Sequence, residues 1–149
     1  MTPHPDGDDV FNATGMADLA ALVALLERAC ARVGASAGAV SDLRLATEEV
    51  FANILSHGYG GQPGPVTVRV EATPAQVIVT LADAAPDFDP ADAAAPDIGA
   101  QWAQRPLGGL GWHLVYQVMD EVRRESRAQG GNVYTLVKKL SALRASTDK

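Results

Sequence analysis

The chain has 149 residues, of which 47% are hydrophobic, 20% charged and 5% aromatic, and 12 Lys and Arg stand against 18 Asp and Glu for a net charge of −6. That is chain enough for one domain with one buried core, too apolar for a disordered polymer, and too acidic to bind phosphate backbones or anionic lipid by bulk charge. The lone cysteine, Cys30, excludes a disulfide framework and a cysteine zinc site; His4, His57 and His113 with no HExxH motif give no all-histidine cage within one chain; lysine only at 138, 139 and 149 leaves no GxxxxGK phosphate loop.

Residues 1–9 are acidic and Pro-rich, the opposite of a signal peptide, and read as a flexible tail. Val10 to Ala13 suits a short strand. Met16 to Val33 reads as a helix, because Leu19, Leu22, Leu26, Ala29 and Val33 recur at helical spacing. Thr14 is its candidate cap and Gly34 its stop. Its apolar run, Leu19 to Leu26, is far short of a membrane span. Cys30 lies beside the apolar face and reads as a small core residue. A second helix starts near Ser36 or Ser41 and runs to about His57, with Leu43, Ala46, Thr47, Val50, Ile54 and Leu55 on its apolar side. Gly58, Gly60 and Gly61 end it.

Pro65 to Glu71 and Gln76 to Leu81 are rich in β-branched residues and predict two strands, joined as a hairpin across Thr73-Pro74-Ala75. Residues 84–107 are rich in Ala, Asp and Pro and read as a long loop, a length that marks a lid or a partly disordered segment. After Gly108-Gly109-Leu110-Gly111 comes a short helix, Trp112 to Met119. Glu121 to Arg127 and Asn132 to Lys139 are two further strands joined at Gly130-Gly131, and residues 141–149 are a second flexible, polar tail. Residues 10–140 thus make one α+β domain, a two-layer sandwich with helices on one face of a mixed, mostly antiparallel sheet.

The charge is unevenly placed. Residues 70–104 hold six acids (Glu71, Asp83, Asp87, Asp89, Asp92 and Asp97) and no base. A solvated acidic loop accounts for most of them.

Three features can carry chemistry. Glu49, Asn53 and His57 sit at i, i+4 and i+8, one polar stripe at the edge of the Val50–Ile54 apolar line. A carboxamide oxygen there can ligate Mg²⁺, and a carboxylate one turn away can orient or deprotonate a hydroxyl. A half-exposed helix face of ordinary polar residues reads the same way. Arg44 lies four residues before Glu48, and the two should form a solvated pair. Asp83 ends a strand, where a carboxylate can accept from an exocyclic amine or simply terminate the strand. Gly108 to Gly111 lead into a helix and can offer backbone N–H groups to an anion.

Taken together and in this order, these features resemble a known family. Thr47-Glu48-Glu49-Val50-Phe51-Ala52-Asn53-Ile54-Leu55-Ser56-His57-Gly58-Tyr59 is similar to the N-box of the anti-sigma factor serine/threonine kinases, small members of the gyrase/Hsp90/histidine-kinase/MutL ATPase superfamily. Asp83 to Pro90 looks like the G1 box, Gly108 to Gly111 the G2 box, and the strand after Gly130-Gly131-Asn132 the closing G3 region. The resemblance implies a Bergerat-type sandwich that binds ATP and Mg²⁺ under a lid. It implies Asn53 as the Mg²⁺ ligand, Glu49 as the base, and Asp83 as the reader of the adenine amine. Gly108, Gly109, Leu110 and Gly111 would bind phosphate, with Gly109 and Gly111 giving backbone N–H groups. Arg105 falls where the family often has a basic residue, and His57 would be a structural stripe residue or a neighbour of the adenine pocket rather than a catalyst. Ala85 stands where the G1 box usually has glycine.

The resemblance further implies a cytoplasmic regulator, a homodimer, that phosphorylates a STAS-type anti-anti-sigma protein and sequesters a sigma factor, without binding nucleic acid or membrane directly. The alternative is a switch of the same fold that binds partners without catalysis, with ATP as ligand only or lost. A two-component histidine kinase would need a dimerising helical hairpin with a phosphoacceptor histidine. Only one helix precedes the N-box, and His4 lies in the tail.

Overall fold

The alternation in the central strands builds the sheet. In the computed structural model, which describes residues 8–85 and 108–140, β1 is Asp8–Ala13, β2 Val66–Ala72, β3 Gln76–Asp83, β4 Glu121–Ser126 and β5 Asn132–Lys139. Val66, Val68, Val70 and Ala72 of β2 and Val77, Val79 and Leu81 of β3 point inward, while Thr67 and Arg69 face out. A period of two residues puts each set on one face. The strands pair in the order β1-β2-β3-β5-β4, and every pairing is antiparallel, so no parallel component occurs among the described strands. The α+β two-layer arrangement is as expected.

Helix α1 is Leu19–Arg32, α2 Ala37–Asn53 and α3 Gly108–Val118. They contribute Leu22, Leu26, Leu43, Val50, Phe51 and Val115 to a core shared with the inner sheet face. Each such side chain adds about 1.5–3 kcal/mol by leaving water. Cys30 is fully buried within that core.

The helix ends differ from the expected ones for local reasons. Met16–Asp18 forms a 3-10 turn before α1, with Gly15 at its cap position. Thr14 does not cap by its side chain; instead its N–H donates to Asp18 Oδ2 at 2.8 Å. At the other end Gly34 takes φ +72°, and Ala35 N–H bonds Cys30 O at 3.0 Å while Gly34 N–H bonds Ala31 O at 3.2 Å. These two bonds make a Schellman motif, which needs glycine at that left-handed position. Ser36, one of the two candidate starts of α2, caps it by accepting from Ala39 N at 3.1 Å. Helix α2 gives way after Asn53 to a π-helical turn, Ile54–Gly58, rather than running regularly to His57.

Two further differences bear on the ends of the domain. Strand β1 starts at Asp8 rather than Val10, because Asp9 is buried and ion-paired with Arg32 of α1 at 2.9 Å. The glycines 108–111 form the first turn of α3 rather than a turn ahead of it. The proposed lid after Ala85, including Asp87, Asp89, Asp92, Asp97 and Arg105, lies outside the described residues, as do most of the first tail and all of the second.

Candidate functional site

Strand β3 alternates until its last position, and the alternation carries Asp83 to the inner face behind Val77, Val79 and Leu81. Its side chain is 1% exposed. Oδ1 accepts from the backbone N–H of Ala85 at 3.0 Å and of Asn132 at 3.1 Å. The Asp83 carbonyl accepts from Arg127 Nη1 at 3.1 Å. Oδ2 is buried with no hydrogen-bond partner. Burial pushes this carboxyl above the ordinary value, against N–H donation from Ala85 and Asn132 and the charge of Arg127. A buried acceptor with no donor costs free energy, so a ligand that brings an N–H to Oδ2 is favoured.

Gly131 shapes the same corner. It has φ +101°, and a methyl on it would lie 2.0 Å from the Asp83 carbonyl oxygen. Main chain therefore packs on main chain there, which only glycine permits.

Glu49 and Asn53 lie one turn apart on α2, both partly buried. Burial first, and Glu48 second, push the Glu49 carboxyl above the ordinary value. Glu48 pairs with Arg44 as expected, at 3.4 Å, and Arg44 also reaches Glu27 of α1 at 3.4 Å. The step to His57 crosses the π turn, so the regular stripe comprises Glu49 and Asn53. Such turns often occur at functional sites.

The π turn joins α2 to the end of β3. Tyr59 Oη accepts from Ala84 N at 2.8 Å and donates to the Pro65 carbonyl at 2.7 Å. A methyl on Gly58 would sit 3.2 Å from the Ala85 side chain. Ala85 therefore tucks its methyl toward Gly58 and is itself 1% exposed. Sequence pattern alone gives no role to Tyr59, Arg127, Gly131 or Asn132. The one signal for Tyr59 is an aromatic directly after His57-Gly58. The others meet Asp83 only through the fold.

Helix α3 packs against α2. Lys138 Nζ donates to the Val118 carbonyl and pairs with Asp42, both at 2.8 Å, so the end of α3 lies by the start of α2. The anchor holds the C-terminal end of α3 against the first half of α2. The first N–H groups of α3, at Gly108 to Gly111, have no partner within the helix. A helix N-terminus attracts anions.

A profile of the histidine kinase-like ATPase domain matches residues 13–138. The chain belongs to the histidine kinase-like ATPase family. Among curated relatives, this ATPase-family chain is similar to serine-protein kinase RsbW of Bacillus velezensis, 29% identical over 109 residues that cover 69% of this chain and 68% of that one. It is 28% identical to serine-protein kinase RsbW of Bacillus subtilis, over 83% of this chain and 79% of the relative. It is also 27% identical to the anti-sigma F factor of Pasteuria penetrans, over 70% and 71%. The resemblance drawn from the N-box thus agrees with the relatives found. Among the described residues of this ATPase domain, no helix is long and apolar enough to cross a membrane. Nor do three or more His, Cys, Asp or Glu side chains there cluster as a metal site.

Proposed function

We propose that this chain is an anti-sigma serine/threonine protein kinase of the cytoplasm. In this reading it binds ATP with Mg²⁺, phosphorylates a STAS-type anti-anti-sigma protein and, as a homodimer, sequesters a sigma factor. The observation that carries the nucleotide reading is Asp83 Oδ2, a buried acceptor without a donor. The 6-amino group of adenine supplies such a donor. The alternating register of β3 holds the carboxylate still, so the base meets a fixed acceptor.

Asn53 would be the protein's ligand to Mg²⁺, a hard ion that a carboxamide oxygen suits. When bound, Mg²⁺ offsets the charge of the triphosphate. The N–H groups of Gly108, Gly109, Leu110 and Gly111, at the start of a helix that packs on α2, would hold phosphate oxygens. Glu49 would take the proton of the attacking hydroxyl as its oxygen bonds the γ-phosphorus and the bond to the ADP oxygen breaks. A base lifted by burial is better matched to a weakly acidic hydroxyl. His57 and Ala85 would border the base, and Arg105 would approach the phosphates.

The RsbW and anti-sigma F relatives support both the kinase and the partner class. Ala85 packs toward Gly58 and serves Oδ1 through its N–H, so it leaves Oδ2 without a donor, which favours nucleotide binding over its loss. The test is incubation with γ-labelled ATP, Mg²⁺ and a cognate STAS-type anti-anti-sigma protein. Label should pass to a serine or threonine of that protein. ATP binding without transfer would instead favour the non-catalytic switch.

A further inference from the structure

The end of β3 is held from three directions. Tyr59 of the π turn bonds Ala84 N at 2.8 Å. Asn132 of β5 bonds Asp83 Oδ1 at 3.1 Å, and its own side-chain oxygen accepts from Arg124 Nη1 at 2.7 Å. Arg127, in the turn between β4 and β5, bonds the Asp83 carbonyl at 3.1 Å. Its base is rigid. Arg127 N–H donates to Gly131 O at 2.9 Å, its carbonyl accepts from Gly130 N at 3.0 Å, and both glycines have φ +101°. The guanidinium therefore leaves a closed turn and reaches the residue whose Oδ2 is buried without a partner.

We propose that Arg127 is a positioning residue that sets nucleobase specificity, holding Asp83 so that Oδ2 accepts from a 6-amino purine and repels a 6-oxo purine. The inference rests on the nucleotide reading above and adds to it a determinant outside the N, G1 and G2 boxes. Two effects act together. The bond to the carbonyl fixes the main chain from which the carboxylate projects. The positive charge favours the carboxylate form, which has only acceptors, over the acid, which can donate to a 6-oxo group. Among the described residues, the ionisable groups that act on Asp83 are Arg127 from the β4–β5 turn and Tyr59 from the π turn. Losing Arg127 removes both effects, and each erodes the preference for the amino base.

Calorimetry of Mg·ATP and Mg·ITP with the full chain tests this. ITP has a 6-oxo group where ATP has an amine. The wild type should prefer ATP by at least about tenfold, as expected of a site built on one buried hydrogen bond. Arg127→Met should weaken ATP by about tenfold and ITP little, so that the ratio collapses. Arg127→Lys keeps the charge without the planar fork and should restore part of the ratio. If Arg127→Met does not fold, Arg127→Lys carries the test, with a ratio between one and the wild-type value expected. An equal loss for both nucleotides would mean a structural role only and would overturn the proposal, as would an unchanged ratio. A wild type that binds ATP without discriminating also overturns it. A wild type that binds neither nucleotide overturns the nucleotide reading beneath it.

Discussion

Asn132 donates its backbone N–H to Asp83 Oδ1 at 3.1 Å, joining β5 to the end of β3 across 49 residues of sequence. With Ala85 N–H on the same oxygen, Oδ1 is doubly served while Oδ2 has no donor. The asymmetry predicts what Asp83→Asn does. The amide keeps an oxygen for the two N–H groups and turns its NH₂ toward the pocket, where it meets the adenine amine donor to donor. A hydrogen bond to a charged group is worth about 1.5–3 kcal/mol, so ATP affinity should fall by about tenfold to a hundredfold in calorimetry.

The same variant should be no less stable without nucleotide. Burial raises the Asp83 pKa on folding above its ordinary 3.8. The folded state therefore binds the proton more tightly than the unfolded one. That contribution to stability is present below the unfolded value and is lost as pH rises through the folded value. At pH 7 the wild type bears the cost of a buried charge and Asp83→Asn does not. Thermal melts should show Asp83→Asn at or above wild type at pH 7, with the difference moving toward wild type as pH falls toward 4. A large drop in melting temperature at pH 7 would contradict this account.

Glu49 gives the pH dependence of transfer. Burial and Glu48 lift its pKa above the ordinary 4.5. A base must be ionised to act, so the rate should fall on the acid side at a pH above that value. Glu48→Gln removes the like charge and should shift this limb to lower pH. Glu49→Gln should cut transfer by about 10²–10⁴ while sparing ATP binding, measured by label transfer alongside calorimetry.

Much of this was legible in the chain. Alternation of valines gave β2 and β3 and, extended by one step, places Asp83 on the inner face. Helical spacing gave α1 and most of α2. What escaped depends on partners distant in sequence. Asp9 reads as tail until Arg32, 23 residues on, neutralises it inside the first strand. The π turn after Asn53 leaves no pattern of its own, because Ile54 and Leu55 continue the apolar side of α2. Glycines disfavour helix, so Gly108 to Gly111 read as a turn, although they open α3. Gly131 looks like an ordinary hairpin glycine because its contact with Asp83 is made only by the fold.

Gly130 and Gly131 separate strain from contact. Both have φ +101°, but a methyl on Gly130 meets nothing within 4 Å, whereas one on Gly131 meets the Asp83 carbonyl at 2.0 Å. Gly130→Ala should cost only the backbone strain, about 1–2 kcal/mol. Gly131→Ala should cost clearly more in denaturant titrations and should also weaken ATP binding, because β3 must shift to admit the methyl. Equal losses for the two variants would count against the close packing of Gly131 on Asp83.

Lys138 tests the link between the two helices that flank the site. Its ammonium bonds the Val118 carbonyl at the end of α3 and Asp42 near the start of α2, and its side chain is 18% exposed. A cation at a helix C-terminus is favourable, and partial burial limits screening by salt. Lys138→Met keeps most of the apolar stem but loses both bonds, so stability should drop by about 1–2 kcal/mol. Asp42→Asn loses the ion pair but leaves the cap on Val118, and should cost less. In Lys138→Met with Asp42→Asn, the two losses should sum to less than the separate effects, since both act through one ammonium. If α3 is held against α2 at this anchor, ATP affinity should fall with Lys138→Met more than with Asp42→Asn. Full additivity of the stability losses, or an unchanged affinity in Lys138→Met, would detach this anchor from the site.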